Sequence, residues 1–318
     1  MNITVLAVFS LDWLLCSFKG VDFAGYQNGF EYVCEKDGVS FLENVNKRQA
    51  LYQNGENRVK IAVSGKGGVG KTLVSGTLAS YFAKKGYKVM AIDADPSPNL
   101  ALTLGIPVEE ANKILPISEN KELLDSKTKT DYPGVYKLHF TVDDIIEENG
   151  MKSPYGVNLL VMGTVKAAGS GCACGANAVV RELLRHLIVD RDEIVIVDME
   201  AGVEHMGRGT ASQVDAMIVV ADSSRKSLEI AKKLNLFAKQ AGIQKVYIVG
   251  NRIQEPIEKE LITNFTNEND LELLALIPYD KTVVKADRLG EAPLKYAETS
   301  ESVKAIQTIG DKLLEAQT

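Results

Sequence analysis

The sequence is sparing with the residues that would signal several large classes of protein. Cysteine occurs four times in 318 residues, at positions 16, 34, 172 and 174, far short of the dense framework that staples a secreted domain. A reducing, cytoplasmic setting is expected. Basic residues are outnumbered, 36 Lys and Arg against 42 Asp and Glu, for a formal net charge of −6. No global positive field is therefore on offer to nucleic acid or to an anionic membrane, and small molecules or proteins are the expected partners. Long apolar runs are also lacking. The N-terminal MNITVLAVFSLDWLLCSF is interrupted by Asp12, is short for a bilayer span, and has no Lys or Arg before Lys19, which makes it a poor export signal and stable membrane insertion unexpected. What the chain does contain is 45% hydrophobic residues, enough for one large α/β core.

The first 58 residues read differently from the rest. After Lys19 no period of 3.6 or 2 persists, and turn pairs recur at Asn28-Gly29, Asp37-Gly38 and Asn54-Gly55. Residues 1–58 are expected to be a poorly structured, loosely attached extension, either lying upstream of a true start near Val59 or serving as an apolar anchor. From Val59 onward apolar runs alternate with helical patterns. Strands are predicted at 59–65, 87–95, 157–163, 193–200, 215–222, 244–251 and 273–278, and helices at 72–85, 176–189, 224–240, 255–265 and 301–316, with 107–155 as an irregular connection. The strands are continuous in Val, Ile and Leu, as suits strands covered on both faces. The predicted fold is a single domain over 59–318, a mostly parallel, doubly wound α/β sheet with helices on both faces.

The stretch SGKGGVGKT, residues 64–72, follows the first of these strands and opens the first helix. Gly65, Lys66, Gly67, Gly68, Val69, Gly70, Lys71 and Thr72 satisfy the phosphate-loop pattern G-x-x-x-x-G-K-[ST]. Its glycines let backbone N–H groups turn inward around phosphates, and the helix N-terminus adds partial positive charge. Lys71 reaches the β and γ oxygens, and Thr72 offers its hydroxyl to Mg²⁺. The same letters hold a dinucleotide-type G-x-G-x-x-G, but that reading leaves Lys71 and Thr72 without a purpose.

Lys66 is a second lysine that an ordinary phosphate loop does not need. KGGVGKT, together with DADPSPNL at 93–100, resembles the deviant phosphate-loop ATPases of the MinD and nitrogenase iron-protein group, with a SIMIBI-like P-loop NTPase fold. The resemblance implies a homodimer in which Lys66 reaches the partner's ATP. It implies Asp198 at the end of IVIVD as the acid holding Mg²⁺ through water, Asp93 as support for the metal and switch region, and Asp95 as the group orienting the attacking water. Asn251 and Pro278 match positions that contact adenine in this group, so ATP is the expected nucleotide.

Two of the four cysteines stand one residue apart in GSGCACGANA, residues 169–178. Cys172 and Cys174 as thiolates can grip one metal, and a two-fold dimer would supply the two further sulfurs of a four-sulfur site. The following helical pattern, ANAVVRELLRHLIV, would favour thiolates at its N-terminus. A tight turn or a redox dithiol are the alternatives, the latter weakened by the strain of a C-x-C disulfide. GCACGANAVVRELLRHL with DMEAGVEHMGRGTASQVD at 198–215 resembles the CooC-type ATPases, nickel-insertion accessory proteins for carbon monoxide dehydrogenase and acetyl-CoA synthase. That resemblance spans Val59 to the C-terminus. It implies Ni²⁺, or Zn²⁺ in its place, at Cys172 and Cys174, and one of those enzymes as client. Glu200 stands where the broader group has proline. Glu204 and His205 are candidates for handing metal along or for a hydrogen-bonded structural element, whereas His139 and His186 read as structural or surface residues. An iron–sulfur scaffold of the same group and a MinD-like positioning ATPase are the rival functions; the latter needs a C-terminal membrane helix, whereas the apolar stripe of ESVKAIQTIGDKLLEA reads as core.

Overall fold

The computed structural model describes residues 59–128, 142–163, 182–188, 193–200 and 208–316, and nearer the N-terminus 23–27, 30–35 and 38–42. The chain divides into two compact units, Met1–Gly55 and Glu56–Thr318. In the first, β1 (Phe23–Gln27), β2 (Phe30–Glu35) and β3 (Gly38–Leu42) form an antiparallel sheet in that order. The irregular sequence pattern gave no warning of these strands, although Asn28-Gly29 and Asp37-Gly38, pairs typical of hairpin turns, fall at the two junctions between them.

The second unit is built on eight strands: β4 (Lys60–Gly65), β5 (Val89–Ala94), β6 (Met151–Lys152), β7 (Asn158–Val161), β8 (Ile194–Met199), β9 (Ala216–Ala221), β10 (Lys245–Ile253) and β11 (Glu272–Pro278). Their spatial order is β11-β10-β9-β4-β8-β5-β7-β6. All neighbours are parallel except the edge pair β6 and β7. β4 therefore lies at the switch point where the winding changes direction, and ligands collect outside the carboxyl ends of strands there.

Alternation along each strand explains why the apolar runs are continuous. In β8, Val195, Val197 and Met199 enter one core, and Ile194 and Ile196 enter the other. β9 divides in the same way, with Met217 and Val219 opposed to Ile218 and Val220. Helix α1 (Lys71–Lys84) covers one face of the sheet with Val74, Leu78 and Phe82. Helices α2 (Arg225–Gln240) and α3 (Pro256–Glu268) cover the other with Leu228, Leu234, Ile262 and Phe265. Each face thus removes apolar area from water, the main favourable term in folding.

The connection after β5, expected to be irregular, contains the helices Val108–Ala111, Lys121–Thr128 and Val142–Asn149 and the edge strand β6. These pieces are short, and Ile117, Leu123 and Ile145 anchor them in the core. Another helix absent from the sequence reading, α4 (Lys281–Leu289), had its signals in plain view. Asp280 caps it by accepting from the Thr282 N–H at 2.7 Å, and Gly290 ends it at φ 66°. Of the predicted helix at 176–189, residues 182–188 are described and helical.

The C-terminal helix α5 (Glu301–Glu315) is capped by Ser300. Its stripe of Val303, Ile306, Ile309 and Leu313 is buried, as the sequence reading had it. Gly310 brings the helix close to α1, since a Cβ there would lie 3.0 Å from the Tyr81 ring and 3.1 Å from Phe82. Asp311 accepts from the Tyr81 hydroxyl at 2.8 Å and from Lys85 Nζ at 2.6 Å. No helix among the described residues is long and apolar enough to cross a membrane. Phe82, fully buried between Tyr81 and Tyr87, is the keystone of this layer. Phe82→Ala should destabilise the protein by about 3–5 kcal/mol in equilibrium denaturation, and Phe82→Leu by much less.

Candidate nucleotide site

Five strands deliver the predicted nucleotide and magnesium residues to the carboxyl edge of the sheet. β4 ends in the phosphate loop and β5 in Asp93 and Asp95. β8 ends in Asp198 and Glu200, β10 carries Asn251, and β11 ends at Pro278, paired in register with Ile253. The loop's conformation requires its glycines. Gly65, Gly68 and Gly70 have φ of 152°, 80° and 99°, and a Cβ on Gly65 would stand 2.3 Å from the Val220 carbonyl oxygen of β9. Val69 is buried at 1% exposure and pins the loop to the core, whereas Gly67 and Gly68 are exposed. Gly70 caps α1 without a side-chain bond, so the first helical N–H groups face the loop's concavity, where an anion fits them.

The side chains that follow the loop are buried and mutually engaged. Lys71 is 6% exposed, and its Nζ lies 4.0 Å from Asp95 Oδ2. Asp95 Oδ1 accepts from the Ser97 N–H at 2.9 Å. Asp93 is fully buried; its two oxygens accept from the N–H groups of Asp95 at 3.1 Å and Leu100 at 2.9 Å. It thereby ties the end of β5 to the short helix Leu100–Thr103. Lys66 is partly exposed in the loop, and Glu200 is exposed at the end of β8.

Asp198 sits directly opposite Asp93 in the β5–β8 register. The Ser75 hydroxyl lies 3.1 Å from both Asp198 Oδ1 and the Lys71 carbonyl oxygen. Asp198 Oδ2 is buried without a hydrogen-bond partner, an atom that accepts well from a metal-bound water. Together with the Thr72 hydroxyl this donor set suits Mg²⁺, a hard cation that keeps its waters. The sequence reading missed Ser75, which was legible: it stands three residues after Thr72, on the same face of α1. It also missed Ser64, whose hydroxyl donates to the Glu200 carbonyl oxygen at 2.9 Å and joins the phosphate-loop strand to the segment after β8. Among the described residues no group of three or more His, Cys, Asp and Glu is arranged to hold a metal. Cys172, Cys174, Glu204, His205 and His139 lie outside the described residues. His186 pairs with Glu182 at 3.3 Å on its own helix.

Burial sets the electrostatics. Desolvation pushes Asp198 up from 3.8 to about 7, helped by the neighbouring Asp93 charge and opposed by the Thr72 and Ser75 hydroxyls and by Lys71. Desolvation likewise pushes Asp93 up to about 6, against the backbone N–H groups it accepts from. A carboxyl whose folded value is raised adds stability that is complete below its unfolded value and lost as pH rises through the folded one. Nucleotide-free protein should therefore lose stability from about pH 4 to about pH 7, and be less stable at pH 8 than at pH 5. Asp198→Asn should flatten that dependence and stabilise the nucleotide-free protein at pH 8 by about 1–3 kcal/mol, while weakening Mg²⁺-dependent nucleotide binding. Urea denaturation at the two pH values, beside nucleotide titration, checks both statements.

Comparison with known proteins agrees with this geometry. The CobQ/CobB/MinD/ParA nucleotide binding domain family matches residues 60–294. The carbon monoxide dehydrogenase accessory protein CooC from Rhodospirillum rubrum is 42% identical over 234 residues, 73% of this chain and 88% of that protein. The uncharacterized ATP-binding protein MJ0823 from Methanocaldococcus jannaschii is 42% identical over 237 residues, 73% of this chain and 90% of that protein. Among solved structures, MinD complexed with Mg-ADP from Pyrococcus horikoshii superimposes with a TM-score of 0.58 at 21% identity, covering 82% of this chain and 99% of that one. The MinC:MinD complex from Aquifex aeolicus gives 0.60 at 21% identity, covering 81% and 96%. A phosphate loop at the switch point, buried carboxylates beside it and these relatives converge: the chain belongs to the CobQ/CobB/MinD/ParA nucleotide-binding family, as a CooC-type ATPase of its MinD/ParA group.

Proposed function

We propose that this ATPase is a cytoplasmic, homodimeric metallochaperone, with residues 59–318 as its single ATPase domain. Its cargo is nickel, held by Cys172 and Cys174 of both protomers, and its client is carbon monoxide dehydrogenase or acetyl-CoA synthase. The observation that carries the reading is the 42% identity to an accessory protein of carbon monoxide dehydrogenase across 88% of that protein's length. The C-x-C strip between glycines supports it, since two thiolates per protomer give four across a two-fold axis.

The nucleotide site supplies the driving equilibrium. The phosphate-loop N–H groups and Lys71 bind the phosphates, and Asp95, which faces Lys71 in the structure, gives up that ion pair when the phosphates arrive. Thr72 and Asp198, supported by Ser75 and Asp93, hold Mg²⁺, which when bound neutralises phosphate charge. Lys66 reaches the partner's ATP and makes closure of the dimer depend on nucleotide. Freed from Lys71, Asp95 orients the attacking water, and loss of the terminal phosphate relaxes the dimer. Asn251 and Pro278, which match the adenine-contacting positions of the group, select adenine. Binding of cargo and of nucleotide are then reciprocally linked.

Anaerobic titration of the nucleotide-free protein with Ni²⁺ should give about one ion per dimer. Both metal and metal-driven dimerisation should vanish in the Cys172→Ala/Cys174→Ala protein. Nickel binding indifferent to those cysteines would sink the metallochaperone reading, and a brown protein with charge-transfer bands would favour an iron–sulfur carrier. Lys66→Ala should abolish ATP-dependent dimerisation in analytical ultracentrifugation, whereas Asp95→Asn should slow turnover by about 100-fold or more and trap the ATP-bound dimer. A Lys66→Ala protein that still dimerises with ATP contradicts the proposed contact.

A further inference from the structure

The family resemblance puts Asn251 with the adenine base, and its side chain has a further engagement in this structure. It is 3% exposed. Its Nδ2 donates to the Val69 carbonyl oxygen at 2.7 Å, and its Oδ1 accepts from the Arg252 N–H at 2.8 Å. Both ends of the amide are engaged, one with the phosphate loop and one with its own strand. The strand is irregular just there: Arg252 has φ 63°, and the β10–β11 register slips between Gly250 and Ile253. A left-handed arginine is a cost that persists only where surrounding contacts hold it, and the Asn251 Oδ1 bond to its N–H is one such contact.

The effect on the loop follows from peptide geometry. A trans peptide points its C=O and the next N–H in opposite directions. Drawing the Val69 carbonyl toward β10 therefore turns the Gly70 N–H away from it, toward the concave side of the loop. The contact is close, since a Cβ on Gly70 would lie 2.3 Å from Asn251 Nδ2, whereas Cβ atoms on Gly67 and Gly68 would meet nothing within 4 Å. The exposed half of the loop rests on the half that Val69 and Asn251 anchor.

We propose that Asn251 is a positioning residue of the phosphate loop, locking the Val69–Gly70 peptide in the orientation that presents its N–H to the phosphates. The proposal rests on the loop's role in ATP binding and is separate from any contact with the base. A ligand with phosphates and no base distinguishes the two. Calorimetry with magnesium tripolyphosphate and with MgATP should show Asn251→Ala weakening tripolyphosphate about tenfold, as for one lost buried hydrogen bond, and MgATP by at least as much. Wild-type binding of both probes establishes the site itself. Asn251→Ser keeps an acceptor for the Arg252 N–H but is too short for Val69, and it is read in the same way if the alanine protein fails to fold. Tripolyphosphate affinity unchanged while ATP weakens would make Asn251 a base contact only, and no change in either would remove it from the site; both overturn the proposal.

Discussion

Two carboxylates buried side by side, Asp93 and Asp198, are the constraint around which the second unit is arranged. They face each other across adjacent parallel strands, and the Asp93 charge adds to the burial that pushes Asp198 up. The protein answers the two charges differently. Asp93 is met by backbone N–H groups on both oxygens, which makes it a fastener between β5 and the segment that follows. Asp198 is met on one side by Ser75, and its other oxygen is left without a partner. A site that is uncomfortable when empty binds a cation and its nucleotide more readily, because the ligand supplies the missing interactions.

The fold turns this local tension into position. Burial of β4, β5, β8 and β9 on both faces leaves polar side chains to gather at the strand ends, and the carboxyl ends bring Asp93 and Asp198 beside the phosphate loop. The glycine at the end of β4 lets that strand pass against Val220 more closely than any side chain would permit. Helix α1 then starts with its N–H groups aimed at the same point. Its other end is secured far from the chemistry, by Tyr81, Lys85 and the C-terminal helix. Tight packing at one end of α1 thus holds the charged end still, which preorganises the loop for phosphate at little further entropic cost.

The polar bonds at this edge also join parts of the site that are distant in sequence. Ser64 binds the carbonyl of Glu200, and Asn251 binds that of Val69. Through these two contacts the segment after β8 and the end of β10 both bear on the phosphate loop.

Much of the fold is legible in the sequence alone. The phosphate loop follows from a spacing that only its chemistry explains, and the strands follow from apolar runs too continuous for a half-exposed sheet. The helix α4 and the hydroxyl of Ser75 were equally legible, marked by Asp280, Gly290 and the three-residue step from Thr72. The short helices between β5 and β7 were not, because pieces of four to eight residues carry too few turns for a period and are stabilised by packing alone. Sequence by itself determined the long buried elements and the chemical inventory, since periodicity and motif spacing are local properties of the chain. Only the tertiary structure decided that Asp93 would be satisfied and Asp198 left wanting, and that Asn251 would hold the loop, because hydrogen-bond partners 123 or 182 residues apart are assigned by packing and not by proximity along the chain.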